Sequence, residues 1–126
     1  MVIDTGIFID HLRSKDKKAT LLYKIADHAD LSISAVSLYE LYMGATNKEK
    51  ENDIMLITED LSVLPFNDKV TQKAAQIYHL LRLNNQMIEF RDIFIAATCI
   101  VNQLQIVTTN QKHFKRIEDL KIFKLG

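Results

Sequence analysis

The chain has 126 residues, 48% of them hydrophobic and 25% charged, with 16 Lys and Arg against 16 Asp and Glu. That size and balance describe one ordinary globular domain. They exclude a low-complexity chain, and the zero net charge counts against a protein that covers nucleic acid over a large area.

The longest purely apolar stretch, Ile93 to Ala97, falls far below the ~20 residues of a membrane span. Asp4 and Asp10 interrupt any early apolar run, so no secretory leader is expected. The single cysteine, Cys99, lies in an apolar helical pattern and reads as a buried core residue rather than a reactive thiol. It cannot form an internal disulfide, and a cytoplasmic location is expected.

In chain order, Met1–Asp4 reads as a short buried strand. Ile7–Leu12 follows as a first helix, with Ile7, Phe8 and Leu12 on one face, and Lys18–Ala29 as a second. Leu31–Ser34 is a second strand. A helix runs from Ser37 to about Thr46, and the polar Asn47–Asn52 stretch after it is a possible further helix. Ile54–Leu61 reads as helix, and Ser62–Phe66 as a strand ended by Pro65. Asp68–Asn84 is a long amphipathic helix, with Val70, Ala74, Ile77, Leu80 and Leu81 at helical spacing. Asp92–Gln103 is apolar on most sides and so a buried helix. Gln105–Val107 is a strand, Gln111–Arg116 a helical turn, and Lys121–Leu125 a last edge strand. With three Gly and one Pro, loops should be short. Apolar runs alternating with helical patterns predict an α/β fold with a mainly parallel sheet.

Acidic and polar residues recur where apolar segments end or begin. Asp4 closes the run Met1-Val2-Ile3, Glu40 lies near the start of a helix, Asp92 opens Asp92-Ile93-Phe94-Ile95-Ala96-Ala97, and Asn110 follows Val107-Thr108-Thr109. Such residues can converge in the crevice of an open α/β sheet, where clustered carboxylates suit a hard divalent cation and phosphate chemistry. Each also has a structural reading. Asp4 and Asp92 can be N-caps, and a helix dipole would keep Asp92 ionised. Ser37-x-x-Glu40 matches a capping box. Thr108-Thr109-Asn110 can be a plain turn. Glu89 reads best as a solvated loop charge. His113, beside Lys112, Lys115 and Arg116, is either a solvated basic turn or part of a phosphate-holding patch.

Taken in order, these elements resemble the PIN-domain family, and within it the small VapC-type toxins. The resemblance rests on Ile3-Asp4-Thr5-Gly6-Ile7-Phe8-Ile9, Ser34-x-x-Ser37-x-x-Glu40-Leu41-x-x-Gly44, Arg91-Asp92-x-x-Ile95-Ala96-Ala97 and Val107-Thr108-Thr109-Asn110-x-x-x-Phe114, and covers essentially the whole chain. It implies a three-layer α/β/α fold with a central, mostly parallel sheet. It implies Mg²⁺- or Mn²⁺-dependent endoribonuclease activity and inhibition by a cognate antitoxin. Two positions depart from the family pattern: Gly6 stands where many relatives carry Asn, and Asn110 where many carry Asp. Both lessen the polar equipment of the site, and a non-catalytic binding module on the same fold is the alternative reading.

Under the nuclease reading Asp4 and Asp92 are the metal ligands. Glu40 orients or deprotonates the attacking water, and Asn110 holds a water of the metal's outer shell. Thr5, Ser37, Thr108 and His113 are candidates for support or phosphate contacts. Two carboxylates 4 Å apart repel by ~4 kcal/mol at an effective dielectric of 20, more than an N-cap returns, so convergence needs a cation. RNA is the expected substrate. Leu38, Tyr39, Tyr42 and Met43 supply either core packing or a groove for an antitoxin helix, with an antitoxin Arg able to enter the acidic site. A homodimer is also expected.

Overall fold

In the computed structural model, which describes residues 1–28 and 30–125, a four-stranded sheet lies between helices. The strands are β1 (Val2–Ile3), β2 (Ser32–Ser34), β3 (Ser62–Leu64) and β4 (Ile106–Val107), in the order β3-β2-β1-β4. Every pairing is parallel. The chain builds outward from β1 through β2 to β3, then returns to lay β4 on the other side of β1. The order therefore reverses between β1 and β4, and the carboxyl ends of those strands flank a crevice.

Alternation along the strands sorts the core into two layers. Val2 and Ile106 pack with α5 (Asp68–Leu83) and α6 (Phe90–Val101) through Val70, Ala74, Ile77, Leu81, Ile93 and Ala97. Ile3, Ile33 and Val107 face the opposite layer. There they meet Ile7 and Phe8 of α1 (Thr5–Arg13), Ile25 of α2 (Leu21–Ile25), Leu41 of α3 (Ala35–Met43) and Ile54 of α4 (Lys48–Thr58). Burial on both faces is what a parallel sheet requires. β3 is the exposed edge, and Pro65 follows it.

The helical boundaries move for local reasons. The expected Lys18–Ala29 helix is broken: a 3₁₀ turn covers Lys17–Ala19, and α2 begins after Thr20, whose hydroxyl accepts from the Tyr23 amide. The end of that expectation, Ala29, lies outside the described residues. Asn47 caps Lys50 and starts α4, so the polar Asn47–Asn52 stretch and the expected Ile54–Leu61 helix merge into one helix, which ends at Thr58. The last edge strand reduces to a single bridge between Ile106 and Ile122.

Two long helices end on residues other than glycine. Asn85 and Gln103 hold φ of 55° and 56°. Each sits just past its helix, where the Gln86 amide reaches the Leu81 carbonyl and the Leu104 amide reaches the Cys99 carbonyl. This is the Schellman closure that glycine usually supplies. Cys99 is fully buried, and burial pushes its thiol up to about 12, in keeping with an inert core residue.

Candidate active site

The register of the inner strands builds the centre of the site. Ile3 pairs with Val107, and the Asp4 amide donates to the Val107 carbonyl at 2.9 Å. The next residues, Asp4 and Thr108, therefore meet at the switch point. Thr108 Oγ1 donates to Asp4 Oδ2 at 2.7 Å, and the Thr5 amide donates to Oδ1 at 2.9 Å. Asp4 is thus the N-cap of α1 and a crevice carboxylate at once. Burial raises its pKa above the ordinary carboxylate value, with the Glu40 charge adding, while the bonds from Thr108 and Thr5 pull it down.

The expected capping box at Ser37 and Glu40 does not form. Helix α3 starts earlier, and its cap is Ser34, whose Oγ accepts from the Ser37 amide at 3.0 Å. Ser37 then belongs to the first turn, and Glu40 lies one turn further on. Freed from capping, both side chains turn to the crevice. Thr5 Oγ1 lies 2.8 Å from Ser37 Oγ and 2.9 Å from Glu40 Oε1. Thr5 has one hydroxyl proton and a carboxylate can only accept, so that proton goes to Glu40. Ser37 turns its own proton to Thr5, and Ser34 donates to Ser37 at 3.0 Å. This hydroxyl chain orients Glu40 from inside the protein. From outside, Arg91 Nη1 lies 3.0 Å from Glu40 Oε2.

Asp92 is the third residue of α6, not its cap: Glu89 occupies the N-cap position and makes no capping bond with its side chain. The first turn keeps the favourable helix dipole at Asp92, but burial and neighbouring charge act on it more strongly. Its pKa rises to about 6, through burial first, then through the charges of Asp4, Glu89 and Glu40, with His113 offsetting part of the effect. A dipole contribution of ~1 kcal/mol at most does not outweigh several carboxylates sharing a half-buried site.

The remaining expected residues close the ring. The Asn110 amide donates to Thr108 Oγ1 at 2.9 Å, so Thr108 ties the turn after β4 to Asp4. Asn110 Nδ2 lies 2.9 Å from His113 Nδ1, and that nitrogen is 3.9 Å from Asp92 Oδ2. His113, on α7 (Gln111–Phe114), is therefore part of the crevice rather than of a solvated basic turn. Its sequence neighbours are not: Lys112 and Lys115 are exposed, and Arg116 donates to the Gln86 and Met87 carbonyls.

Glu40 thus comes close enough to raise the proton affinity of Asp4, and Asp4 and Glu40 that of Asp92. Ser34 has a place in the family motif but no capping role expected of it there. The only sign of its capping role is a serine three residues before Ser37. Arg91 stands in the motif that opens on Arg91-Asp92, but nothing in the sequence points to its pairing with Glu40, which is remote in the chain. Glu89 is 65% exposed and paired to Arg91 at 2.6 Å, which holds its pKa below the ordinary value.

The donor set is all oxygen, which suits Mg²⁺ or Mn²⁺ better than softer metals. Among the described residues no three His, Cys, Asp or Glu side chains form a metal cage. A site offering only two carboxylates would suit a cation that keeps most of its waters.

A PIN-domain family model matches residues 1–120. The chain belongs to the PIN-domain family. Its curated relatives are VapC ribonucleases. Ribonuclease VapC19 of Mycobacterium tuberculosis is 30% identical over 125 residues, covering 95% of this chain and 96% of the relative. Ribonuclease VapC1 of Methanocaldococcus jannaschii is 22% identical, covering 98% and 86%. In solved structures the fold matches VapBC2 from Rickettsia felis bound to a promoter DNA fragment, with a TM-score of 0.86 at 22% identity, over 99% of this chain and 98% of that one. VapBC-1 from nontypeable Haemophilus influenzae matches with a TM-score of 0.84 at 24% identity, over 97% and 95%.

Proposed function

We propose that this chain is the toxin of a toxin–antitoxin pair, an endoribonuclease that hydrolyses RNA with Mg²⁺ or Mn²⁺ and an attacking water. The observation that carries the reading is the convergence of Asp4, Glu40 and Asp92 at the switch point of the sheet. The VapC relatives support it. Asp4 and Asp92 are the residues to hold the cation, which when bound would polarise the phosphate and make water more acidic. The Thr108 hydroxyl and Thr5 amide keep Asp4 in one orientation. Glu40, held by Thr5, accepts the proton of the attacking water. Asn110 and His113 line the far side of Asp92, where they can hold water or a phosphate oxygen. No side chain is required as a covalent nucleophile. By resemblance to the PIN-domain family, water displaces the 3′ oxygen, and the products carry 5′-phosphate and 3′-hydroxyl ends. A 2′,3′-cyclic phosphate product would contradict the scheme.

The test is cleavage of a pool of structured RNAs with Mg²⁺, Mn²⁺ or EDTA, comparing the native chain with Asp92→Asn. Metal-dependent cleavage lost by at least about 100-fold in the variant is expected, since water activation and charge stabilisation are lost together. Equal activity in both proteins would place the chemistry elsewhere. No cleavage and no Mn²⁺ binding would favour the non-catalytic module.

The antitoxin groove is proposed to lie between α1, α3 and α4. A cavity of about 430 Å³ there is lined by Ile9, Leu12, Leu41, Ala45 and Ile54, with Glu40 at its crevice end. None of Leu38, Tyr39, Tyr42 and Met43 lines it. Tyr39 and Met43 are exposed, at 65% and 59%, as are Met55 and Leu56 on α4. These apolar residues are the candidate surface for a homodimer, and a monomer by light scattering at micromolar concentration would count against it. No helix among the described residues is long and apolar enough to cross a membrane. A toxin acting on RNA is proposed to work in the cytoplasm.

A further inference from the structure

Arg91 stands at the mouth of the crevice with more hydrogen-bonding capacity than its partners use. Its guanidinium spans Glu40 at 3.0 Å and Glu89 at 2.6 Å, and its side chain is 54% exposed. A guanidinium has five N–H donors in a planar fork, so donors remain. Among the described residues it is the one Lys or Arg ion-paired to the carboxylates of the crevice. Arg116 is committed to backbone carbonyls. A phosphodiester entering here approaches Asp4, Glu40, Glu89 and Asp92 together, and a fixed cation beside Glu40 and Glu89 adds to the offset that a divalent cation on Asp4 and Asp92 would supply. The guanidinium fork matches two phosphate oxygens, as a lysine ammonium does not.

Building on the ribonuclease reading, we propose that Arg91 seats the RNA phosphate beside Asp92, exchanging Glu40 for two phosphate oxygens while Glu89 retains its other edge. In the empty protein the same guanidinium neutralises Glu40. Once it moves to the phosphate, Glu40 stays anchored by Thr5 at Oε1 and presents a free Oε2 to the attacking water. Arg91 is thus a substrate-contacting residue whose departure readies Glu40.

The test is steady-state cleavage of one structured RNA by the native chain, Arg91→Gln and Arg91→Lys, at several salt concentrations. Arg91→Gln is expected to raise KM by roughly tenfold, as loss of a charge-assisted bidentate contact does. It should also flatten the salt dependence of kcat/KM by about 0.7 log unit per decade, the share of one contact on single-stranded nucleic acid. Arg91→Lys should keep the salt slope and recover only part of KM, and it carries the test if the Gln variant does not fold. A fall in kcat alone, with KM and salt slope native in both variants, would reduce Arg91 to a structural partner of Glu40 and overturn the proposal. If the native chain cleaves no RNA, the ribonuclease reading falls, and the Arg91 proposal with it. Native cleavage with unchanged KM in the variants sinks the Arg91 proposal alone.

Discussion

At the scale of single residues, the site is held by hydroxyls that the acidic pattern does not announce. Thr108 and Thr5 hold Asp4, and Ser34, Ser37 and Thr5 form a line ending on Glu40. Among the described residues no buried side-chain polar atom lacks a partner, so the acids are oriented without unsatisfied groups. Their mutual repulsion remains, and it has a measurable sign. Asp92 has a folded pKa of about 6, above its unfolded value of about 3.9. Between those values the folded state binds more protons, so the contribution to stability is full at low pH and is lost as pH rises through 6. In EDTA the native chain should be about 1 kcal/mol more stable at pH 5 than at pH 7 from this residue, after discounting for its partial exposure. Asp92→Asn should remove that difference. Urea midpoints of both proteins at the two pH values check it; equal pH dependence in the two would show that Asp92 is not strained.

At the scale of elements, periodicity located nearly every helix, while the ends were decided by caps. Asp68–Asn84 was legible almost to the residue because α5 shows one apolar stripe and begins at Asn67, whose Oδ1 accepts from the Val70 amide. The break at Thr20 was not legible, since nothing in Lys18–Ala29 interrupts the composition. Likewise the Ser37-x-x-Glu40 pattern is a sound capping signal, but Ser34 was already in place and took the role. The C-terminal ends fall within two residues of the expected Asn84 and Gln103, although Asn85 and Gln103, not glycines, adopt the left-handed conformation there. A left-handed side chain costs ~1–2 kcal/mol, and glycine returns part of that as unfolded-state entropy. Gln103→Gly should therefore stabilise the fold by roughly 0.5–1 kcal/mol, seen as a higher urea midpoint with unchanged slope. A lower midpoint would mean that the Gln103 side chain contributes packing that outweighs its backbone strain.

At the scale of the whole molecule, two core layers share strands only two residues long. Val2 and Ile106 belong to one layer, Ile3 and Val107 to the other, so neither layer can lose its sheet without the other. The chain should unfold in one cooperative step. Ile106→Ala and Ile3→Ala should each lower stability by about 2–5 kcal/mol. Circular dichroism and tyrosine fluorescence should give coincident urea transitions in both variants. Separated transitions would show that the layers are independent.

The sequence by itself determined the alternating α/β pattern, the order of the acidic residues and, through the motifs around Asp4, Glu40, Asp92 and Asn110, the family. These are local properties: side-chain period, chain direction and spacing. Only the tertiary structure decided which groups hold those acids. Thr5 is 35 residues from Glu40 and Thr108 is 104 from Asp4, and Arg91 meets Glu40 across the same crevice. Such partnerships follow from strand register and helix placement, which bring remote residues into contact. The proton affinity of Asp92 follows in turn from burial and neighbouring charge, neither of which a linear spacing contains.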